Sequence, residues 1–381
     1  MISQIYKMLS TPVKKLLFWL ASRKKIGPTQ KTIHIVRLDT IGDFVLFSAI
    51  LPYFRKVYSG YKIVLIVDSV VAQMAMWLNR NNYFDELIAI DGKQYNRNFL
   101  YYYNTLKKIR ANAPEVVIQP TFSRTQKSDE VVFISKEAQK IGYEGDMSNI
   151  SPTSKARNNA KYDRLIKNPT VILEPEINRH FLNELAGREI LASGVPAWEI
   201  SESEQVIAKK RLESLGIDVS KPLVAICPGS SRSAKNWPVE KFISLIAALH
   251  GSEPSLQFVV IGGERDWEVC LRVVTHQSIK SLPVFNLCGK TKLSELAGVL
   301  ALARLYIGNN TGSLHISSAV GISTIALDGK EHYLRFFPYP AWKQGSKNIS
   351  LTNEAGPALS VKDIAVQKVY DNAREVLHTI L

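Results

Sequence analysis

Residues 222–242, PLVAICPGSSRSAKNWPVEKF, constrain the fold of this chain more than any other stretch. Leu223-Val224-Ala225-Ile226-Cys227 is a short apolar run, rich enough in β-branched residues to be a buried parallel strand. Pro228-Gly229 ends it. Small hydroxyl residues follow at Ser230, Ser231 and Ser233, with Arg232 and Lys235 among them, and Trp237-Pro238 opens a helix with proline in its first turn. A strand, a small polar turn with free backbone N–H groups and cations, and then a helix start is what a phosphate-bearing ligand needs. The same letters also describe an ordinary βα loop with incidental charges.

That grammar runs through the chain from Thr32 onward. In the first half, 33–38 reads as a strand, Asp39-Thr40-Ile41-Gly42-Asp43 as a turn, and 44–58 as one apolar helix ended by Ser59-Gly60. Further strands are expected at 62–68, 87–90, 116–119 and 131–134, and a helix carries Tyr101, Tyr102, Tyr103, Leu106 and Ile109. The polar stretch 144–170 reads as a loop, and 177–193 as a helix stopped by Gly194-Val195-Pro196. A helix over 202–215 leads into a second sheet with strands at 223–227, 257–261, 285–287, 305–307 and 324–327. Its helices fall at about 238–250, 265–274, 292–303, 312–320 and 361–379, the last free to cross back onto the first half. Strands alternating with helices imply parallel sheets with right-handed crossovers. The expected fold is α/β, with two Rossmann-like doubly wound domains at 27–200 and 201–381. They would face a central cleft that takes ligand at the carboxyl ends of their strands.

Composition narrows the partners. The 381 residues are 46% hydrophobic and 22% charged, which supplies two cores and excludes a disordered or fibrous chain. A net charge of +14 calls for an anionic partner: nucleic acid, a phosphorylated metabolite or an anionic membrane surface. Cys227, Cys270 and Cys288 lie in or beside apolar segments without pair spacing and read as reduced core residues of a cytosolic protein. No stretch approaches the ~20 apolar residues that a spanning helix requires.

Residues 1–26 stand apart. Ile2, Ile5, Tyr6, Leu9, Val13, Leu16, Leu17 and Leu20 recur at helical spacing between lysines, with Pro12 expected to kink or divide the segment. The apolar core 16–20 is too short for a signal peptide, and Arg23-Lys24-Lys25 stands where small cleavage-site residues belong. A basic amphipathic helix with Phe18 and Trp19 beside its cations fits an anionic bilayer surface. The alternative is a helix packed on the protein's own body.

Four places carry residue types suited to chemistry. Asp43, behind Gly42 at a strand end, is placed to accept a proton from a bound hydroxyl, or else to cap its helix. Gly308-Asn309-Asn310-Thr311-Gly312-Ser313-Leu314-His315 follows a strand and opens a helix, so its N–H groups face an anion. His315 either joins that anion site or is a satisfied core histidine. Gly262-Gly263-Glu264-Arg265-Asp266 ends another strand, and a carboxylate there takes ribose hydroxyls in nucleotide-binding folds or caps the next helix. His332, Arg335 and Pro338-Tyr339-Pro340 form an aromatic, cationic loop that closes over a ligand or packs the domain edge.

Taken together, 35–60 (IVRLDTIGDFVLFSAILPYFRKVYSG), 228–238 (PGSSRSAKNWP), 259–266 (VVIGGERD) and 287–315 (LCGKTKLSELAGVLALARLYIGNNTGSLH) resemble the ADP-heptose:lipopolysaccharide heptosyltransferases. These are inverting glycosyltransferases of the GT-B architecture, and the resemblance runs from about Thr32 to the end of the chain. It implies Asp43 as catalytic base and Lys235 as the cation on the departing diphosphate. It implies Gly229, Ser230, Ser231, Lys235, Gly263, Asp266, Asn310, Thr311, Gly312 and His315 around the donor, and Arg37 and Arg124 toward an anionic acceptor. One departure is plain: Asn310 stands where the family signature has aspartate, which removes a charge and adds donors.

The resemblance implies transfer of heptose or a related sugar from a nucleotide-diphosphate donor, ADP-linked, to a lipopolysaccharide core or other surface glycan. No metal or other cofactor is expected, and the partners are the nucleotide sugar, an anionic glycolipid or glycan, and the inner face of the bacterial cytoplasmic membrane through residues 1–26. Two rivals stay open: a nucleotide-sugar epimerase of the same architecture, and a non-catalytic nucleotide-binding scaffold. A nicotinamide dehydrogenase lacks its G-x-G-x-x-G after the first strand, and nucleic-acid binding explains the charge but not the four motifs.

Overall fold

The computed structural model describes residues 2–23, 27, 30–230, 236–329, 334–352 and 360–380, with side chains from 11 to 379. The chain divides into two compact units. The first is Met1–Phe44, Ile50–Val171 and Ile177–Ala192; the second is Val45–Ala49, Ile172–Glu176 and Ser193–Leu381.

The first unit is built on a six-stranded sheet in the order β3-β2-β1-β4-β5-β6. Its strands are β1 (Thr32–Arg37), β2 (Lys62–Asp68), β3 (Glu86–Ile90), β4 (Val116–Gln119), β5 (Gln139–Tyr143) and β6 (Arg164–Ile166), all paired in parallel. The helices are α1 (Ile2–Ser22), α2 (Ile41–Phe47), α3 (Leu51–Val57), α4 (Ala72–Leu78), α5 (Gly92–Arg97), α6 (Phe99–Ala111), α7 (Gln126–Phe133), α8 (Pro152–Asn159) and α9 (Glu174–Ala186). β1 (TIHIVR) is buried at all six positions, His34 and Arg37 included, as befits a central parallel strand covered on both faces.

The second sheet, also six-stranded and parallel, runs β12-β11-β10-β7-β8-β9. Its strands are β7 (Leu223–Cys227), β8 (Gln257–Val260), β9 (Val284–Asn286), β10 (Leu305–Asn309), β11 (Ser323–Leu327) and β12 (Asn348–Leu351). The helices are α10 (Glu202–Glu213), α11 (Val239–Ser252), α12 (Trp267–Thr275), α13 (Leu293–Leu302), α14 (Gly312–Ala319) and α15 (Val366–Ile380). In each sheet the order reverses between its two central strands, β1/β4 and β7/β10, and such a reversal opens a crevice at the strand ends.

Several expectations are corrected. The run 131–134 is not a strand but the end of α7, with Val131 and Val132 fully buried. Thr125 caps that helix and exchanges hydrogen bonds with Ser128 in a capping box, a start signal that outweighs a short β-branched run. The helix expected over 44–58 is two helices, because Pro52 has no N–H to continue the first and fits the opening turn of the second. The polar stretch 144–170 holds α8 and the edge strand β6. α15 does not cross back: Val369, Ala373, Val376 and Leu377 join the core of the second unit against α11.

α1 packs on the first unit through Leu17, Phe18 and Ala21. Lys14 donates to the Tyr95 carbonyl at 3.0 Å and sits 4.9 Å from the Tyr102 ring centroid. Pro12 lies inside this helix without dividing it.

Candidate functional site

The carboxyl edge of the second sheet gathers most of the expected donor residues. β7 runs into Pro228-Gly229-Ser230, β8 into Gly262-Gly263, β10 into Asn310-Thr311 and β11 into Asp328. β7 and β10 are the neighbours at the reversal, so their turns flank the crevice.

Asn309 holds these turns together. This last residue of β10 is fully buried. Its Oδ1 accepts from the Trp237 N–H at 2.9 Å, and its Nδ2 donates to the carbonyls of Pro228 (2.8 Å) and Gly229 (3.4 Å). One side chain therefore pins both ends of the turn after β7. Ser230 Oγ donates to Asn236 Oδ1 at 2.5 Å on the same turn. Trp237, itself fully buried, donates from its indole to the Ile364 carbonyl at 2.9 Å. Ser231 and Lys235, with Arg232 and Ser233, lie outside the described residues.

α14 starts beside this turn. Thr311 is its N-cap in extended conformation, and the Thr311 side chain makes no capping hydrogen bond. Uncapped donors at a helix start are the partners an anion needs. Thr311 Oγ1 and Tyr306 OH each lie 2.9 Å from Ser313 Oγ, and Ser313 reaches Cys227 Sγ at 3.4 Å, a half-buried hydroxyl cluster between the ends of β7 and β10. Burial pushes the Cys227 thiol up, so it stays protonated.

Asp266 lines the β8 side. It does not cap α12. Its Oδ2 instead accepts from the Gly263 N–H at 2.9 Å, closing the short 3-10 turn Glu264–Asp266. Its carboxyl lies against the β7 turn so closely that a Cβ on Gly229 would be 2.3 Å away. Burial raises the Asp266 pKa above its usual value, opposed by the Gly263 N–H and Arg265.

His315 is 4% exposed and stacks on Tyr339, with ring centroids 6.1 Å apart and planes at 12°, its Nδ1 lying 3.5 Å from Tyr339 OH. Phe337 meets the same imidazole edge-on. The aromatic loop thus packs the domain edge. Arg335 there is salt-bridged to Glu174 at 3.0 Å, and His332 lies outside the described residues.

In the first unit, Asp43 sits in the opening turn of α2, half-buried, its Oδ2 accepting from Thr40 Oγ1 at 2.6 Å. Arg37 holds this turn from below. Its Nε pairs with Asp39 at 2.5 Å, Nη2 donates to the Asp43 carbonyl at 3.4 Å, and Nη1 reaches the Pro120 carbonyl at 3.3 Å across the β1/β4 reversal. Arg124 is paired with Asp129 at 3.3 Å and bonded to Asn159 and the Glu144 carbonyl, under the Tyr162 ring. Both arginines are 1% exposed. Internal partners hold these guanidinium groups, which brace the first unit.

Among the described residues no three His, Cys, Asp or Glu side chains converge as metal ligands, and no helix is long and apolar enough to cross a membrane.

Two doubly wound parallel sheets in one chain, each with a crevice at its reversal point, define a GT-B fold. Residues 103–368 match the family model for glycosyltransferase family 9 (heptosyltransferase), and the chain belongs to that family. It is 25% identical over 168 residues to lipooligosaccharide heptosyltransferase 2 of Campylobacter jejuni, an alignment covering 41% of this chain and 51% of the relative. The chain thus spans about half the length of the curated relatives it matches. A family 9 glycosyl transferase from Veillonella parvula superposes with a TM-score of 0.74 at 21% identity, covering 93% of this chain and 98% of that one. E. coli heptosyltransferase WaaC with ADP gives 0.63 at 17% identity, over 91% and 98%.

Proposed function

We propose that this protein is an inverting glycosyltransferase that moves heptose or a related sugar from an ADP-linked donor to a lipopolysaccharide core or similar surface glycan. The observation that carries the reading is the Asn309 clamp, which sets the turn after β7 beside the uncapped start of α14 at the reversal of the second sheet. That is a diphosphate site in its parts: backbone N–H groups, hydroxyls and, by resemblance, the ammonium of Lys235. The Campylobacter relative is named a heptosyltransferase, and the E. coli relative holds ADP, which supports the base and the sugar class.

In this mechanism Asp43 takes the proton of an acceptor hydroxyl, whose oxygen bonds to the anomeric carbon from the face opposite the nucleotide. The bond from that carbon to the diphosphate breaks, and its electron pair leaves on the diphosphate. The α14 dipole and Lys235 stabilise that charge as it develops. The reading uses no metal ion or other cofactor. Asp266, at the β8 edge, is the ribose contact. α1 holds the enzyme against the inner face of the cytoplasmic membrane, where a lipid-linked acceptor is presented.

Asp43→Asn should lower transfer by about 10²–10⁴-fold while ADP binding, read by calorimetry, stays as in the parent. Transfer by Asp43→Asn at the parent rate would overturn the base assignment. Product formed from donor alone, with no acceptor added, would favour an epimerase instead.

A further inference from the structure

β10 and β11 are parallel neighbours with Asn309 opposite Leu327, so the residues that follow them, Asn310 and Asp328, leave the sheet side by side. Asn310 Nδ2 donates to Asp328 Oδ2 at 3.0 Å. Asp328 is 8% exposed, and its N–H is fixed to the Leu351 carbonyl at 3.0 Å, so this carboxylate is anchored in the sheet. A carboxylate accepts and does not donate, so the group facing it is the NH₂ of the amide. The other end of the amide, Oδ1, must then face away, and no donor among the described residues reaches it.

We propose that Asp328 is a positioning residue that turns the Asn310 amide so that Oδ1 presents a neutral acceptor to a donor-sugar hydroxyl beside the α14 anion site. This rests on the glycosyl-transfer reading above and adds the group that reads the sugar. Asn310 immediately precedes Thr311, the N-cap of α14, so a hydroxyl near a diphosphate held there is one of the sugar's own. Where the family signature has a carboxylate at the helix start, this chain has an amide, which accepts a hydroxyl through Oδ1 without carrying charge. The charge that orients the amide is kept one strand away and buried.

The test is a double-mutant cycle with donor KM, kcat and pH profile as readouts. Asn310→Ala should raise the donor KM about tenfold, the loss of one specific hydrogen bond to a hydroxyl. Asp328→Asn should raise it by a similar factor in the parent and have no further effect in the Asn310→Ala background. Asn310→Asp alone sets two carboxylates about 3 Å apart, which cannot both ionise, so its activity should rise as pH falls from 8 to 5.5. The reversed pair, Asn310→Asp with Asp328→Asn, restores one donor facing one carboxylate and should remove that pH dependence. An Asp328→Asn effect that persists undiminished in the Asn310→Ala background would make Asp328 a purely structural residue and overturn the proposal. So would a parent KM in Asp328→Asn. If the parent protein neither binds ADP-sugars nor transfers them, the glycosyl-transfer reading itself fails, and this proposal with it. Thermal denaturation of each variant shows whether it is folded.

Discussion

Asn309 and Asn310 are adjacent identical letters with opposite work, and only the strand period separates them. Asn309 ends β10 with its side chain buried under the turn after β7; Asn310 is past the strand and partly exposed. Asn309→Ala would leave the Trp237 N–H and the Pro228 carbonyl without their partner, and each such buried group costs about 1–3 kcal/mol. The variant should therefore be about 2–5 kcal/mol less stable to urea, with loss of ADP binding. Parent stability would mean the clamp is not needed. Gly308 argues the same way from space. A Cβ there would lie 2.7 Å from Cys227 Cβ and 2.8 Å from the Cys227 carbonyl, which is backbone and cannot swing aside. Gly308→Ala should cost about 1–3 kcal/mol, the usual range for forced overpacking, read from the urea midpoint. The motifs located the strand ends at which most of the expected donor residues lie, because glycine and small polar letters mark those turns. They gave no sign of the clamp, since a buried asparagine and an exposed one carry the same letter. Nor did they show that Arg37 and Arg124 are buried against Asp39 and Asp129, since a paired arginine and a solvated one also carry the same letter.

At the scale of elements, the central strands were legible because both faces of a parallel sheet are covered, leaving unbroken apolar runs such as Leu223–Cys227. The edges were not. β6 is three residues long and β12 reads Asn-Ile-Ser-Leu, since an edge strand needs apolar residues on fewer sides. The α7 error has the same root: Val131-Val132-Phe133-Ile134 is apolar in either state, and the deciding residues, Thr125 and Ser128, lie upstream. α7 also ties α1 and α6 to the sheet. Glu130 Oε1 accepts from Tyr95 OH at 3.1 Å and from Tyr102 OH, under the ammonium of Lys14. Burial raises the Glu130 pKa above 4.5, more than the tyrosine hydroxyls and Lys14 lower it. A carboxyl whose folded pKa is raised binds its proton more tightly in the native state. Its contribution is therefore present at low pH and lost as pH rises from 4.5 through the raised value. Glu130→Gln has no such titration, so its thermal midpoint should gain on the parent as pH goes from 4.5 to 7. A gap that shrinks over that interval would show that Lys14 dominates the site.

The whole molecule carries an excess of +14 and a helix with two apolar faces. Leu17, Phe18 and Ala21 of α1 face the core of the first unit, while Val13, Leu16, Trp19 and Leu20, at 39, 55, 49 and 38% exposure, form the opposite stripe. A helix that needed only to pack on its own protein would carry one such stripe. Arg23 lies 4.4 Å from the Trp19 ring, joining a cation to the apolar stripe as an interfacial helix does. The two readings of this segment in the sequence are thus compatible, one for each face. The full-length protein should sediment with vesicles containing phosphatidylglycerol and much less with pure phosphatidylcholine. Added salt should weaken the first, because part of the attraction is to lipid charge. Leu16→Glu with Leu20→Glu removes two side chains from the exposed stripe and none from the core, so the fold and ADP binding should persist. Partitioning should fall at least about tenfold, since each leucine left out of the interface forfeits on the order of 1 kcal/mol or more and each glutamate adds repulsion. Transfer to a soluble acceptor fragment should be unaffected, whereas transfer to a vesicle-embedded acceptor should drop with the partitioning. Undiminished vesicle binding by this variant would place the membrane contact elsewhere on the basic surface and leave α1 as a packing element alone.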